Sequence, residues 1–143
     1  MATLHFYSTY DQLLVMDRLS GSYFVRATSG KGDCINVRSC ESTGNTGPIP
    51  SGRYYLYKSE ISDPNFFWDV GRNVLADWGD WRVRLHPLGG IRKYGRDDFF
   101  LHCGSFEGSA GCIDIGGGLL GSSDTNKVLK SIMRDEVSEL WVA

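Results

Sequence analysis

Phe99-Phe-Leu-His-Cys-Gly-Ser-Phe-Glu-Gly-Ser-Ala-Gly-Cys-Ile-Asp114 contains two short extended runs joined by a glycine-bearing loop. Asp98 to His102 reads as one strand and Cys112 to Ile115 as another, both bounded by turn-forming residues. Gly104, Gly108 and Gly111 let the connection turn tightly. His102 then lies beside Cys112 if the nine residues between them return the chain to a neighbouring strand. The stretch predicts a β fold whose chemistry sits on a strand pair.

The rest of the chain agrees with that prediction. Leu4 to Thr9, Leu13 to Arg18 and Ser22 to Thr28 are parted by Tyr10-Asp-Gln12 and Gly21, and read as an antiparallel meander. Ser29 to Asp33 reads as a turn. Ser39 to Gly52 is an ordered loop ending in Gly47-Pro-Ile-Pro-Ser-Gly52, whose prolines restrict the backbone before the strand Arg53 to Lys58. The middle is aromatic, with Phe66, Phe67, Trp68, Trp78 and Trp81. Trp81 to His86 alternates as a strand, and Pro87 to Gly90 turns the chain. One helix is expected: Ser122 or Ser123 can cap it, and Val128, Leu129, Ile132 and Met133 form an apolar stripe. Glu136 to Val142 returns as a last strand. The expectation is one mainly-β domain over residues 1–143 with a single substantial α-helix near its C-terminus.

A length of 143 residues suits one compact core. With 41% hydrophobic and 22% charged residues the chain is globular rather than disordered. A net charge of -2 leaves no footprint for nucleic acid, and the densest basic group, Arg92, Lys93 and Arg96, reads as a solvated loop. No apolar run is long enough to span a membrane, so no membrane insertion is expected. Met1 to Tyr10 lacks the basic and apolar regions of a secretory signal. That leaves work in the cytoplasm, or export by a route that reads no cleavable signal.

Cys34 and Cys40 either close a small disulfide loop in an oxidising compartment or remain two thiols; their spacing leaves both open. A zinc site fits poorly. There is no Cys-x-x-Cys pair, and Cys34, Cys40, His102 and Cys103 lack the usual paired ligand spacing.

Cys112 attacks only as thiolate, so it needs a base or a positive site nearby, and His102 is the candidate base. Gly111 removes the Cβ that would block an incoming carbonyl, which makes the amides of Gly111 and Cys112 candidate oxyanion donors. Ser109 can stiffen the turn by hydrogen bonding within it. Each residue also has a bland reading: a cysteine in an apolar strand is usually a small buried hydrophobe, and glycines often mark plain turns. Tyr54, Tyr55, Trp78, Trp81 and Tyr94 can line a cleft, but core packing is the commoner fate of aromatics in a β domain. Asp97 and Asp98 read as a solvated turn.

The pattern His102-x9-Cys112 with Ser109-Ala-Gly-Cys-Ile113 resembles the signature of L,D-transpeptidase catalytic domains of the YkuD type. With Gly47-Pro-Ile-Pro-Ser-Gly-Arg-Tyr-Tyr55 upstream, it is more similar to a branch of type VI secretion effectors that attack bacterial peptidoglycan. The resemblance spans about residues 20 to 116. It implies an L,D-transpeptidase-like β-sandwich in which Cys112 is the nucleophile, His102 the base, and the backbone carbonyl of Cys103 the group that orients His102. Asp114 stands where the family often has arginine, and Ala110 where it often has histidine before the glycine.

The resemblance further implies acyl transfer on peptidoglycan stem peptides, with no metal or organic cofactor. Cys112 would expel the terminal D-alanine, and water, a D-amino acid or a neighbouring stem amine would resolve the thioester. The expected partners are those stems, a cognate immunity protein and a component of the secretion apparatus. The expected place of action is the periplasm of a target bacterium. Two other readings compete: a papain-like or NlpC/P60 peptidase or amidase using Cys34 or Cys40, and a non-catalytic wall-binding module.

Overall fold

A computed structural model of the chain describes residues 2–62, 81–90, 93–104, 109–117 and 122–143. Among these residues, ten strands form two sheets. Thr3–Tyr7 (β1), Gln12–Asp17 (β2) and Gly21–Arg26 (β3) make the antiparallel meander. They join Gly52–Tyr57 (β5), His86–Pro87 (β7) and Val137–Val142 (β10) in a six-stranded sheet of order β3-β2-β1-β10-β5-β7. Thr28–Gly30 (β4), Arg82–Arg84 (β6), Phe100–Gly104 (β8) and Ser109–Gly117 (β9) form a four-stranded sheet of order β4-β9-β8-β6. β1 runs parallel to β10, and β8 parallel to β9.

The inner faces meet in one apolar core. Leu4, Phe6, Leu13, Val15, Leu56 and Leu140 come from the larger sheet, and Val83, Leu101, Cys103 and Ile113 from the smaller. Alternation places these residues inward because successive side chains of a strand point to opposite faces. The fold is therefore the mainly-β sandwich that the sequence predicts, with one α-helix among the described residues, Ser123–Met133 (α1). Ser122 caps it, its hydroxyl accepting from Thr125 N while the Thr125 side chain accepts from Ser122 N. Val128 and Ile132 are fully buried, but Met133, assigned to the same stripe, is the last residue of the helix and is 44% exposed.

Two strands read from sequence as continuous are split between the sheets. Ser22 to Thr28 breaks at Ala27, a buried residue whose amide donates to Asp11 O, and the chain crosses from β3 to β4. Trp81 to His86 breaks at Leu85, buried with its amide on Phe99 O, and crosses from β6 to β7. Small sheets that share a core exchange strands at such corners, and the residue at each corner is apolar, so hydropathy alone does not reveal the break. Phe66, Phe67, Trp68 and Trp78 lie outside the described residues.

A polar cluster fastens the meander to the helix. Asp17 Oδ1 accepts from Leu19 N at 2.8 Å and Ser20 N at 2.6 Å, Oδ2 accepts from the Ser131 hydroxyl, and Arg134 lies 3.3 Å away. Burial by itself would raise the Asp17 pKa; the Ser131, Ser20 and Leu19 hydrogen bonds and the Arg134 charge outweigh it and hold it at about 2. A carboxyl held below its unfolded value of about 3.9 stabilises the fold above pH ~4, and loses that contribution as pH falls toward 2. After discounting for screening at the sheet edge, the contribution is about 1 kcal/mol. Asp17→Asn should lower the melting temperature by roughly 3–5 °C at pH 7 and by much less near pH 2. Melting curves across that range check this, and an equal loss at both pH values would remove the carboxylate from the account.

Candidate active site

The four-stranded sheet has one face on the core and one face away from it. Leu101 pairs with Ile113 on the core side, so Phe100, His102, Cys112 and Asp114 project together from the other face. His102 is directly opposite Asp114 in the parallel register, and Cys112 stands two positions before Asp114 on the neighbouring strand. Diagonal positions of this kind are roughly 8 Å apart at Cα, given ~4.8 Å between strands and ~3.3 Å rise per residue. A histidine ring and a cysteine Sγ are long enough to span a gap of that size. His102 and Cys112 are 3% and 4% exposed, so both are shielded from bulk water.

His102 has a defined proton arrangement. Its Nδ1 lies 2.8 Å from Cys103 O. A carbonyl can only accept, so Nδ1 carries the hydrogen, and a neutral imidazole then holds its lone pair on Nε2. This carbonyl is the one that the family resemblance singles out, while the Cys103 side chain is buried in the core on the opposite face.

Cys112 occupies a distortion of β9. Thr28 is opposite Asp114 and Gly30 opposite Ser109, so β9 carries three more residues than β4 between the two pairs. Such a bulge re-aims side chains and is over-represented beside active sites. Gly111 adopts φ 72° within it. A Cβ there would stand 3.2 Å from Arg96 Nη2 and 3.3 Å from the Phe99 ring, so the position calls for glycine on both conformational and steric grounds. The Gly111 amide donates to Gly47 O at 3.0 Å. As an oxyanion donor, Gly111 would have to leave that bond; the Cys112 amide is the other candidate. The Cys112 thiol lies 3.8 Å from Asp98 O as donor. The Ser109 backbone pairs with Gly30; its side chain lies outside the described part of the structure.

The Gly47-Pro-Ile-Pro loop is the wall behind this bulge. Arg96 Nη1 donates to Glu41 O at 2.6 Å and Pro48 O at 2.7 Å, and Nη2 donates to Gly47 O at 2.7 Å. The segment leading into the loop is closed by a disulfide between Cys34 and Cys40. Gly47 packs so closely on it that a Cβ would meet Cys40 O at 2.2 Å. With both sulfurs in one bond, neither Cys34 nor Cys40 is a thiol nucleophile in this structure, which weighs against the papain-like alternative. Among the described residues, no three histidine, cysteine or carboxylate side chains are grouped to hold a metal ion.

Sequence reasoning missed two residues at this site. Arg96, read as part of a solvated basic loop, is half-buried and hydrogen-bonded to three carbonyls. Asp114, read only as a departure from the family pattern, is 4% exposed, sits between Thr28 and His102 in register, and accepts from Gly116 N at 2.7 Å. The aromatics fall as core packing predicts for two of them: Tyr54 and Trp81 are fully buried, with the Tyr54 hydroxyl on Pro50 O. Tyr94 is partly exposed, its hydroxyl on Glu41.

A family model described as the Tlde1 domain matches residues 24–137. No curated protein matches the chain. The match covers most of the sequence, including β8, β9, the disulfide and the Gly47 loop, and the chain belongs to the Tlde1 family. Its members are type VI secretion effectors and act as enzymatic toxins, usually paired with cognate immunity proteins.

Proposed function

We propose that this Tlde1-family effector, over residues 1–143 as one catalytic unit, is a cysteine acyl-transfer enzyme acting on peptidoglycan stem peptides. It removes the terminal D-alanine of tetrapeptide stems, exchanges it for another D-amino acid, or does both. The observation that carries the reading is the placement of His102 and Cys112 on one face of neighbouring parallel strands, with Nδ1 on Cys103 O, which puts the lone pair of a neutral ring on Nε2.

In the reaction, Nε2 takes the thiol proton, and the Cys112 sulfur attacks the carbonyl of the L-configured centre of meso-diaminopimelate. The tetrahedral oxyanion forms beside the Cys112 amide, where an N–H stabilises charge that exists only at that stage. Collapse expels D-alanine, whose amine takes the proton back from Nε2, and leaves a thioester on Cys112. Water, activated by the same nitrogen, releases a tripeptide stem; a D-amino acid yields a capped stem. Both products remove the donor stems from which cross-links are made, which suits a toxin delivered to the periplasm of a target bacterium. A partner that occludes the Cys112 face would serve as immunity protein, and a secretion-apparatus component would carry the domain out.

The test is incubation of purified tetrapeptide muropeptides with the protein, with and without free D-amino acid, followed by mass spectrometry. Loss of D-alanine, or its replacement, is expected. An unchanged muropeptide profile under both conditions would leave a non-catalytic wall-binding role.

A further inference from the structure

Arg96 stands outside the histidine–cysteine pattern, yet it brings a positive charge beside Gly111, the residue before Cys112. Its guanidinium lies beside Gly111, with Nη2 only 3.2 Å from where a Cβ on that residue would be, and its charge is coupled to Cys112. Burial lowers the Arg96 pKa, and Tyr54, Cys112 and Glu41 partly offset that effect. Its hydrogen bonds go to the carbonyls of Glu41, Gly47 and Pro48. The Glu41 carboxylate is turned elsewhere, to Arg38, Ser51 N and the Tyr94 hydroxyl. Among the described residues, no carboxylate is in ion-pair contact with Arg96. A half-buried guanidinium held by neutral dipoles keeps its full charge, and a charge so placed favours an anion beside it.

We propose that Arg96 is a positioning residue for Cys112: its charge favours the thiolate, and its fork of hydrogen bonds holds the Gly47 carbonyl that anchors the bulge. This rests on Cys112 being the nucleophile. A plain loop staple would need only the hydrogen bonds; a guanidinium beside the Cys112 bulge with no carboxylate in ion-pair contact among the described residues is what that simpler role leaves unexplained. His102 from β8 and Asp114 further along β9 share the face that carries Cys112. Asp98, before β8, offers the thiol its carbonyl and directs its carboxylate to Arg84. Asp114 opposes thiolate formation, and His102 favours it once protonated. Arg96 is the cation in this group whose charge does not depend on pH.

The test reads the thiol directly and needs no muropeptide. The rate of iodoacetamide alkylation at Cys112, located by peptide mass spectrometry, is measured against pH for wild type, Arg96→Gln and Arg96→Lys, with melting curves to confirm folding. Arg96→Gln should move the midpoint of the profile up by about one pH unit, which cuts alkylation at pH 7 about 10-fold because only the thiolate reacts. Arg96→Lys keeps the charge and should keep the midpoint. A folded Arg96→Gln with the wild-type midpoint overturns the proposal, and so does an Arg96→Lys midpoint raised by a full unit, which also decides the matter if Arg96→Gln does not fold. A wild type that alkylates with a low midpoint but leaves tetrapeptides intact would sink the peptidoglycan reading and spare this one.

Discussion

Cys112→Ala should abolish D-alanine release from tetrapeptide muropeptides, a fall of about 10⁵-fold or more, because removing the nucleophile of a covalent mechanism leaves only binding and oxyanion contacts. The fold should survive. Cys112 projects from the face of β9 away from the core, and the bulge around it is held by the Gly111 amide on Gly47 O and by the Arg96 bonds, none of which uses the sulfur. A melting temperature within a few degrees of wild type is therefore expected. Cys112→Ser should be nearly as inactive, since a hydroxyl ionises far less readily than a thiol at neutral pH, and an imidazole with one neighbouring positive charge is too little to ionise it. Product analysis by liquid chromatography and mass spectrometry checks both variants. Turnover within about 10-fold of wild type in a folded Cys112→Ala would move the nucleophile elsewhere; with Cys34 and Cys40 in a disulfide, Cys103 would be the remaining thiol, and it is buried in the core.

Much of this site could be read from the chain, and the parts that could not share a physical reason. The strands of the meander, β5, β10, the capped helix and the pairing of β8 with β9 follow from local pattern: alternation, turn residues, a capping serine and a glycine-bearing return. The Gly47 loop could be named from its prolines, but its position could not, because the bonds that seat it run to Arg96 and Gly111, far along the sequence. For the same reason the sequence groups Arg96 with its neighbours Arg92 and Lys93 rather than with the carbonyls it holds. The corners at Ala27 and Leu85 escaped notice because a residue crossing between two sheets that share a core is as apolar as one within a strand. The Cys34–Cys40 disulfide turned on the distance between two Cα atoms, 5.7 Å in the fold, which spacing in sequence does not determine. The bulge at Cys112 was the least legible feature. It is a mismatch between β9 and β4, strands separated by most of the chain, and only the glycine at 111 hints at it.

His102 can be split into two roles, and a pair of substitutions should separate them. Its Nδ1–H serves the structure by satisfying Cys103 O, and its Nε2 serves the chemistry as base. Asparagine places an amide N–H close to where Nδ1 stands, so His102→Asn keeps the donor to Cys103 O but has no base. His102→Ala loses both. Each should cost about 10³-fold or more in kcat/KM, within the range for removal of a general base that must also create its nucleophile. Their stabilities should differ. Alanine leaves the buried Cys103 carbonyl without that donor, a penalty of about 1–3 kcal/mol, and opens space beside the Asp114 carboxylate opposite it. The expected result is equal inactivity with unequal melting, the asparagine variant close to wild type and the alanine variant several degrees below it. If His102→Asn instead kept turnover within about 10-fold of wild type, the ring would be a structural strut, and the proton of Cys112 would have to go to another group on that face, with Asp114 the nearest in register.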